Sequence, residues 1–339
     1  MADAPLFIIG TERSGSNLMR VILNAHPRIA VPHPPHFFKY FAHLERRYGD
    51  LEDERRFRAL VLDMQRLLRV HIYPWEIAVD TDRVVREANP RDLLGATCAF
   101  YDQYLEHTRK ARWGCKSTFM VHHADRVLAR DPEARFIWLV RDPRDVAVSS
   151  RKSVFSPFDP VRTAALWTAQ QAEGLALEER LGAQVVLRLR YEDLLSAPDL
   201  QLRRVCRFLG EDHADSMTSF HETGAARKGA SLSRDWQKTA SPIQASNQGK
   251  YREELSDEEI RDVEAIAAAT MRRLDYELEY PDVGVAPTGL RARVVHRLRD
   301  EIWHAQVELR SLRTDKNHWR RWGRAATMSW LELTTRMPR

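Results

Sequence analysis

The strongest constraint on the fold is an apolar run that leads directly into a turn bracketed by two glycines. Leu6 to Ile9 is continuous and rich in β-formers, Gly10 to Gly15 follows, and Leu18, Val21 and Ile22 then recur at helical spacing. A strand, a glycine turn and a helix in this order present backbone N–H groups and a helix N-terminus to an anion. The sequence therefore predicts a phosphate-binding loop.

This loop supplies five candidate anion ligands: Arg13, Ser14, Gly15, Ser16 and Asn17. A kinase or NTPase loop reads G-x-x-x-x-G-K-[ST], with a lysine for the β/γ-phosphates and a hydroxyl for Mg²⁺. Ser16 and Asn17 occupy those last two positions, which argues against a P-loop kinase. The plainest alternative is an ordinary turn in which a serine caps the helix.

Two more apolar runs, Phe136 to Val140 and Gln184 to Leu189, precede segments with helical spacing. Buried parallel strands read as continuous apolar runs because helices cover both faces of the sheet. We therefore predict an α/β fold, a three-layer sandwich with a central, mostly parallel sheet. The main domain is expected at residues 1–280, with a helical insertion at 45–112, a linker at 281–289 and a helical tail at 290–339. The insertion is either a substrate cap or a packing helix with a solvated face.

A second anion motif follows the run that ends at Val140. Arg141 directly follows the carboxyl end of this predicted strand, and its guanidinium can donate two hydrogen bonds to one anion. Pro143 begins a predicted helix, and Ser149 lies two turns further along that helix. Arg141 and Ser149 together can clamp a terminal phosphate. The alternative for Arg141 is a surface ion pair with Asp145.

In this order, the two motifs resemble the 5′-phosphosulfate loop and the 3′-phosphate motif of sulfotransferases that use 3′-phosphoadenosine 5′-phosphosulfate, in their bacterial and Golgi-like branch. The resemblance covers roughly residues 6 to 280. It implies in-line transfer of a sulfuryl group, without a metal, to a hydroxyl or amine of a small molecule, glycan or lipid. The alternative is a catalytically silent protein that binds adenosine phosphates.

Three further segments extend the resemblance. Tyr191-Glu192-Asp193-Leu194 is similar to a stretch that lies beside the adenosine in relatives, although Tyr191 read alone is equally a core residue. Lys116, in a segment similar to W-G-D-K-T-P, is implied to touch the oxygen that bridges sulfate and phosphate. Arg227 and Lys228 are implied cofactor contacts, and Lys238 and Lys250 are kept beside them.

The general base departs from the family pattern. Cytosolic relatives carry a histidine where this chain has Thr118, and the other branch carries a glutamate that is missing between Pro27 and Glu45. His33 and His36 are the candidates, because imidazole accepts a proton near neutral pH, and His33 is preferred. A metal site built on these two histidines lacks a third ligand. The less favoured bases are Asp3, Glu12, His122 and His123, of which the last two fit a structural helix.

Charge and cysteine content limit the partners and the compartment. The formal net charge is +5, but residues 286–339 hold 12 Lys and Arg against 5 Asp and Glu, which leaves the rest at −2. A basic tail gives no support to nucleic-acid binding by the core. Three scattered cysteines indicate a reducing compartment, and no leader or spanning segment is apparent, so a cytoplasmic location is expected.

The tail combines an apolar stripe with clustered tryptophan and arginine. Seven residues recur at spacings of four or three and form the stripe: Leu290, Val294, Leu298, Ile302, Ala305, Leu309 and Leu312. Trp319, Trp322 and Trp330 follow, interleaved with arginines. Three interpretations stay open: docking on the enzyme's own core, a homodimer, or peripheral contact with the inner face of a membrane.

Overall fold

The computed structural model describes residues 3–153, 158–232, 234–282, 284, 290–315 and 317–335. Within them, five parallel strands form one sheet in the order β2-β3-β1-β4-β5. The strands are β1 Leu6–Gly10, β2 Ile29–Ala30, β3 Arg112–Lys116, β4 Arg135–Val140 and β5 Val186–Arg190.

Helices connect and cover these strands. They are α1 Ser16–Ala25, α2 Phe37–Phe41, α3 Glu54–Arg69, α4 Thr81–Glu87, α5 Leu93–Thr108, α6 Ala124–Arg130, α7 Pro143–Arg151, α8 Pro160–Leu181, α9 Tyr191–Ser196, α10 Pro198–Leu209, α11 Gly224–Leu232, α12 Tyr251–Glu254, α13 Asp257–Arg273, α14 Leu290–Thr314 and α15 His318–Thr334. Short 3₁₀ segments include Thr118–His123 and Arg234–Ala240.

The side chains of β1 alternate between two separate cores. Leu6 and Ile8 join the core that contains residues of α1 and α10, whereas Phe7 and Ile9 join the larger core that contains residues of α3, α5 and α8. Because successive side chains of a strand point to opposite faces, the sheet is covered on both sides. The predicted three-layer α/β sandwich with a parallel sheet is confirmed.

The three strands predicted from apolar runs are present as β1, β4 and β5. Strands β2 and β3 were not predicted, because β2 has only two residues and β3 reads Arg-Trp-Gly-Cys-Lys, without a continuous apolar run. Strand β3 pairs with β1, with Phe7 opposite Cys115 and Ile8 opposite Lys116. This pairing places Lys116 at the carboxyl edge of the sheet, where the phosphate loop begins.

Helices α3, α4 and α5 lie within the predicted insertion. The apolar residues of α3 that suggested a helix are buried in the larger core: Phe57, Leu60, Val61, Met64, Leu67 and Leu68. A role for this region as a substrate cap stays a prediction. Most of the predicted linker, residues 283 and 285–289, lies outside the described residues.

The two tail helices contact the body of the protein differently. Helix α15 packs Met328 and Leu331 into the larger core, and its Arg324 donates to the Pro35 carbonyl at 3.2 Å. Helix α14 is held through polar groups, and the described part of its apolar stripe is exposed. Docking on the body therefore describes α15 but not the stripe. Among the described residues, no helix is long and apolar enough to cross a membrane.

Candidate active site

The loop between β1 and α1 adopts a backbone that requires its two glycines. Gly10 has φ 131°, and a Cβ there would lie 2.3 Å from the Leu139 carbonyl oxygen of β4. Gly15 has φ 90° and precedes α1 without any side-chain cap, so the alternative of a serine-capped turn is wrong. Uncapped N–H groups at the start of a helix favour an anion.

Buried donors in and beside this loop have no protein acceptor. Within the described residues, Ser14 Oγ and Ser117 Oγ are buried and without a hydrogen-bond partner, as is Arg141 Nε. Buried polar groups are normally paired, since an unpaired one costs about 1–3 kcal/mol. These three atoms therefore indicate a ligand rich in oxygen. Thr11, by contrast, is fixed inside the protein, because its Oγ1 accepts from Gln171 Nε2 at 2.9 Å.

The two predicted anion motifs meet in space. Arg13 Nε donates to Ser149 Oγ at 3.0 Å, and Arg141 Nη1 donates to the Arg13 carbonyl oxygen at 3.0 Å. Arg141 is 6% exposed and Asp145 is 1% exposed, with 3.8 Å between Nη2 and Oδ2. The interpretation of these two as a surface ion pair is therefore wrong. Asp145 also accepts from the Gly249 and Tyr251 N–H groups, which fixes the loop before α12.

Tyr191 packs against both the phosphate loop and Arg141. Its ring lies 4.5 Å from the Arg141 guanidinium, and a Cβ on Gly15 would lie 2.4 Å from its Cδ2. Its hydroxyl accepts from Asn247 Nδ2 at 2.6 Å. Tyr191 is thus a buried residue that also supports both anion motifs. The neighbouring Glu192 accepts from the Asp142 N–H at 3.0 Å and so holds the start of α7.

Two lysines bring further positive charge to the site. The pKa of Lys116 is lowered to about 8, mainly by burial, with Arg20, Lys39 and Arg13 acting in the same direction and Glu12 opposing them. The pKa of Lys238 is also lowered to about 8, by partial burial and by the neighbouring Lys250. Because cations crowd these positions, an anionic ligand is favoured there.

His33 and His36 lie on the same side of the sheet edge as Lys116. Burial lowers the pKa of both well below 6.5; His71 adds most to the effect on His33, and Lys116 and Arg324 add most to the effect on His36. The Nδ1 atom of each ring is buried without a hydrogen-bond partner among the described residues. Both imidazoles are therefore neutral and have a nitrogen available to a ligand.

Aromatic rings hold the His33 side chain in place. Its ring centre lies 4.3 Å from that of Trp236, 4.9 Å from that of His71 and 5.3 Å from that of Tyr73. Trp75 Nε1 donates to the His33 carbonyl at 2.8 Å. His36 instead has φ 61°, a strained backbone for a residue other than glycine, and follows the Pro35 carbonyl that Arg324 holds.

Sequence reasoning missed several residues of this cluster. Arg20 is 4% exposed and donates to Asn17 Oδ1 at 2.9 Å, so one predicted anion ligand is used to hold an arginine. A charged residue on the apolar side of the predicted first helix was the available signal. His71 and Arg324 come from distant segments that carry no motif. Ser16 is buried as the first residue of α1.

The remaining predicted residues form ion pairs within the protein or are exposed. Lys228 forms an ion pair with Glu76 and stands over the Tyr73 ring, and the Arg227 side chain is exposed. Asp3 pairs with Arg28 at 2.7 Å near the opposite edge of the sheet, and Glu12 pairs with Lys39 at 3.3 Å. Their roles as cofactor contacts or bases stay predictions.

His122 and His123 end the 3₁₀ segment that follows Ser117, and the His123 ring lies 4.7 Å from that of Phe38. This contact fits the structural role expected of His123, whereas the His122 side chain is exposed. The described residues contain no cluster of three or more His, Cys, Asp or Glu arranged to hold a metal ion.

A parallel α/β sheet with an anion cradle at its carboxyl edge defines a protein that binds a phosphate- or sulfate-bearing substrate. Residues 5–215 match the family model described as "Sulfotransferase family". The chain therefore belongs to the sulfotransferase family and is a transferase of sulfuryl groups.

Curated relatives and solved structures agree with this assignment. The chain is 24% identical over 280 residues to Protein-tyrosine sulfotransferase A of Caenorhabditis elegans, covering 80% of this chain and 67% of the relative. It is 27% identical over 287 residues to Protein-tyrosine sulfotransferase 1 of Danio rerio, covering 81% and 73%. The sulfotransferase domain from the curacin biosynthetic pathway has a TM-score of 0.55 at 20% identity, over 81% of this chain and 99% of that domain. The sulfotransferase domain of the Synechococcus PCC 7002 olefin synthase has a TM-score of 0.52 at 21% identity, over 78% and 96%. These two structures support the fold.

Proposed function

We propose that the sulfuryl donor is 3′-phosphoadenosine 5′-phosphosulfate. The observation that carries this proposal is the set of buried donors without acceptors, Ser14 Oγ, Ser117 Oγ and Arg141 Nε, beside two anion motifs. A donor with one anionic group at each end fits a site in which the loop donors and the motif of Arg141 and Ser149 lie side by side. When bound, it supplies the sulfuryl group and departs as 3′-phosphoadenosine 5′-phosphate.

The residues divide between the two ends of this donor. The loop N–H groups, Ser14 and Lys116 would hold the phosphosulfate end, with Lys116 placing positive charge where the leaving oxygen becomes negative. Arg141, Ser149 and Arg13 would hold the 3′-phosphate through charge-assisted hydrogen bonds. The Arg13 peptide links the two groups, since its carbonyl accepts from Arg141 while its side chain reaches Ser149.

In this proposal, His33 accepts the proton from the acceptor, and His36 orients the site. The supporting observation is that His33 has an unpaired Nδ1 on a ring held by three aromatic neighbours. A neutral imidazole in fixed orientation can remove a proton as the acceptor oxygen attacks. Burial, and after it the neighbouring His71, Arg20 and Lys116, lowers the pKa of this ring, and the negative charge of a bound donor would oppose the part due to the cations.

The acceptor proposed is a hydroxyl or amine of a small molecule, glycan or lipid. Tyr73 and Trp236 beside His33 offer aromatic faces on which a planar or ring-bearing acceptor can rest. Two relatives are named for protein tyrosine, which is itself a hydroxyl acceptor. A peptide containing tyrosine therefore belongs in an acceptor panel with phenols, sugars and hydroxylated lipids.

The test is conversion of radiolabelled donor to 3′-phosphoadenosine 5′-phosphate with each acceptor of the panel. We expect His33→Ala to lower turnover by about 10²–10⁴-fold and His36→Ala to lower it less, both with nearly unchanged affinity for 3′-phosphoadenosine 5′-phosphate. The exposed His107→Ala is the matched control. Wild-type turnover in His33→Ala would assign the base to another residue, and no saturable nucleotide binding by the wild-type protein would refute the donor.

A further inference from the structure

The helix α14 has a polar face that is buried against the body. Asp300 is 2% exposed, and its Oδ1 accepts from the N–H groups of Phe158 at 2.6 Å and Asp159 at 3.0 Å. It also pairs with Arg162, and His296 Nδ1 lies 3.0 Å from Asp159 Oδ2. The His304 ring centre lies 4.4 Å from that of Phe158. These contacts fix the orientation of the helix at the start of α8.

The opposite face of α14 is apolar and exposed to solvent. Its residues and their exposed fractions are Val295 49%, Leu298 57%, Ile302 56%, Leu309 66% and Leu312 49%, and Ala305 is exposed as well. A surface helix normally buries its apolar stripe and exposes its polar face. Here the arrangement is reversed, so the apolar stripe remains available to a partner.

The spacing of these six residues is that of a coiled coil. From Val295 to Leu312 the intervals are three, four, three, four and three residues, a period of 3.5. We call this stretch the α14 seam. In heptad terms Val295, Ile302 and Leu309 occupy a, and Leu298, Ala305 and Leu312 occupy d. β-Branched residues at a with leucine at d favour two parallel strands, and four of the six positions follow that rule.

The charged residues on either side of the seam favour one relative orientation of two paired α14 helices. Within α14 the g positions are Val294, Glu301 and Glu308, two of them acidic, whereas the e positions are Arg299, Gln306 and Arg313, none of them acidic. In a parallel pair each g position faces an e position of the other helix; in an antiparallel pair g faces g and e faces e. Antiparallel pairing would bring like charges together, and parallel pairing avoids this.

We propose that the α14 seam joins two copies of this chain as a parallel, two-stranded coiled coil. The seam would then be roughly 27 Å long, at 1.5 Å per residue. The two bodies lie outside the pair, because each is attached to the buried polar face of its own helix. The same surface meets itself across a two-fold axis, which is the usual geometry of a homodimer. This proposal does not depend on the donor or the acceptor.

The oligomeric state of the full chain tests the pairing. Sedimentation velocity should give the mass of a dimer for the wild type and of a monomer for Leu298→Glu combined with Ile302→Glu. Leu200→Glu is the matched control, since Leu200 is 65% exposed on α10, away from the seam, and this variant should remain dimeric. Far-ultraviolet circular dichroism spectra should be equal in all three, which shows that each variant is folded. A monomeric wild type would overturn the proposal.

Single cysteine variants test the orientation. Under mild oxidation Val295→Cys and Leu309→Cys should each form a disulfide between two copies, because a parallel pair places each a position beside itself. The native cysteines are buried and should not react. If the protein were dimeric and neither variant formed a disulfide, the parallel model would be refuted. A monomer that binds vesicles of phosphatidylcholine and phosphatidylserine through the seam would show a membrane partner instead.

Discussion

Arg13 and Ser149, separated by 136 positions, are joined by a 3.0 Å hydrogen bond from Nε to Oγ. The bond connects the phosphate loop to the helix that begins at Pro143, so one anion site depends on both segments. Arg141→Ala should weaken binding of 3′-phosphoadenosine 5′-phosphate by about 1.5–3 kcal/mol, and Ser149→Ala by about 1 kcal/mol. The first change removes charge-assisted hydrogen bonds and the second a neutral one. Calorimetry measures both.

The control for Arg141 is Arg203→Ala, an exposed arginine paired with Asp199 on α10. We expect the Arg203→Ala variant to bind 3′-phosphoadenosine 5′-phosphate with wild-type affinity. If Arg141→Ala and Ser149→Ala both retained wild-type affinity, the 3′-phosphate site would have to lie elsewhere.

Gly15 provides a test of the cradle itself. Gly15→Ala should lower nucleotide affinity by at least about tenfold, because the added Cβ meets the Tyr191 ring and displaces both the loop and Arg141. Gly182→Ala is the matched control, since Gly182 also has positive φ, at 73°, but has nothing within 4 Å of a built Cβ. It should lose about 1 kcal/mol of stability and keep its affinity. Equal losses of affinity would mean that backbone strain alone explains the effect.

Nucleotide affinity should fall as the pH rises from about 7 to 9. Lys116 and Lys238 have pKa values of about 8 in the free protein, so above that pH each must take up a proton before it can contact an anion. Above that pH, the deprotonation of each lysine then lowers nucleotide affinity by up to about tenfold per pH unit. In the Lys116→Arg variant, the part of this pH dependence of affinity that comes from Lys116 should disappear, because arginine stays charged.

Lys110→Arg is the control for this experiment. The pKa of Lys110 is also lowered to about 8 by burial, but its ammonium donates to the carbonyls of Asn24, His26 and Ile29, at and just after the C-terminal end of α1. The pH slope should be unaltered in this variant. A slope that Lys116→Arg leaves unchanged would show that Lys116 does not contact the donor.

Arg324 is expected to tune the pH profile of the reaction. The charged and titratable groups that act on His36 are Lys116, Arg324, Lys39 and His71, and all of them lower its pKa. Arg324→Gln removes one cation, so the pKa of His36 should rise and the acid limb of kcat/KM should move to higher pH. Turnover should also fall, because the Pro35 carbonyl loses its donor.

Arg324→Lys retains the charge and should keep the wild-type acid limb. Arg320→Gln, on an exposed part of the same helix, should match the wild type throughout. An unshifted acid limb in Arg324→Gln would exclude an influence of this guanidinium on His36.

The donor side of the site could be predicted from sequence because its two motifs are contiguous. Each anion motif follows a strand directly, and β1 and β4 are neighbours, with Gly10 opposite Leu139. Neighbouring parallel strands deliver their carboxyl-end residues to one place, so finding the strands was enough to bring Arg13 and Arg141 together.

The acceptor side could not be predicted in the same way. His71, Trp236 and Arg324 surround the histidine loop, but each comes from a separate segment with no recognisable pattern of its own. Their positions depend on how α3, the loop before α12 and α15 pack, which local periodicity does not encode. Strand β3 was not predicted for a related reason. Its charged end residues interrupt the apolar pattern, although the centre of the strand is buried.

The contact between Arg324 and Pro35 spans 289 positions, and this sets an order of events during synthesis. At about 5–20 residues per second, the ribosome adds Arg324 roughly 15–60 s after Pro35. Arg13, Arg141 and Asn247 all leave the exit tunnel before it. A nascent chain stalled before α15 should therefore bind nucleotide but lack catalytic activity. The complete chain, once released, should have both.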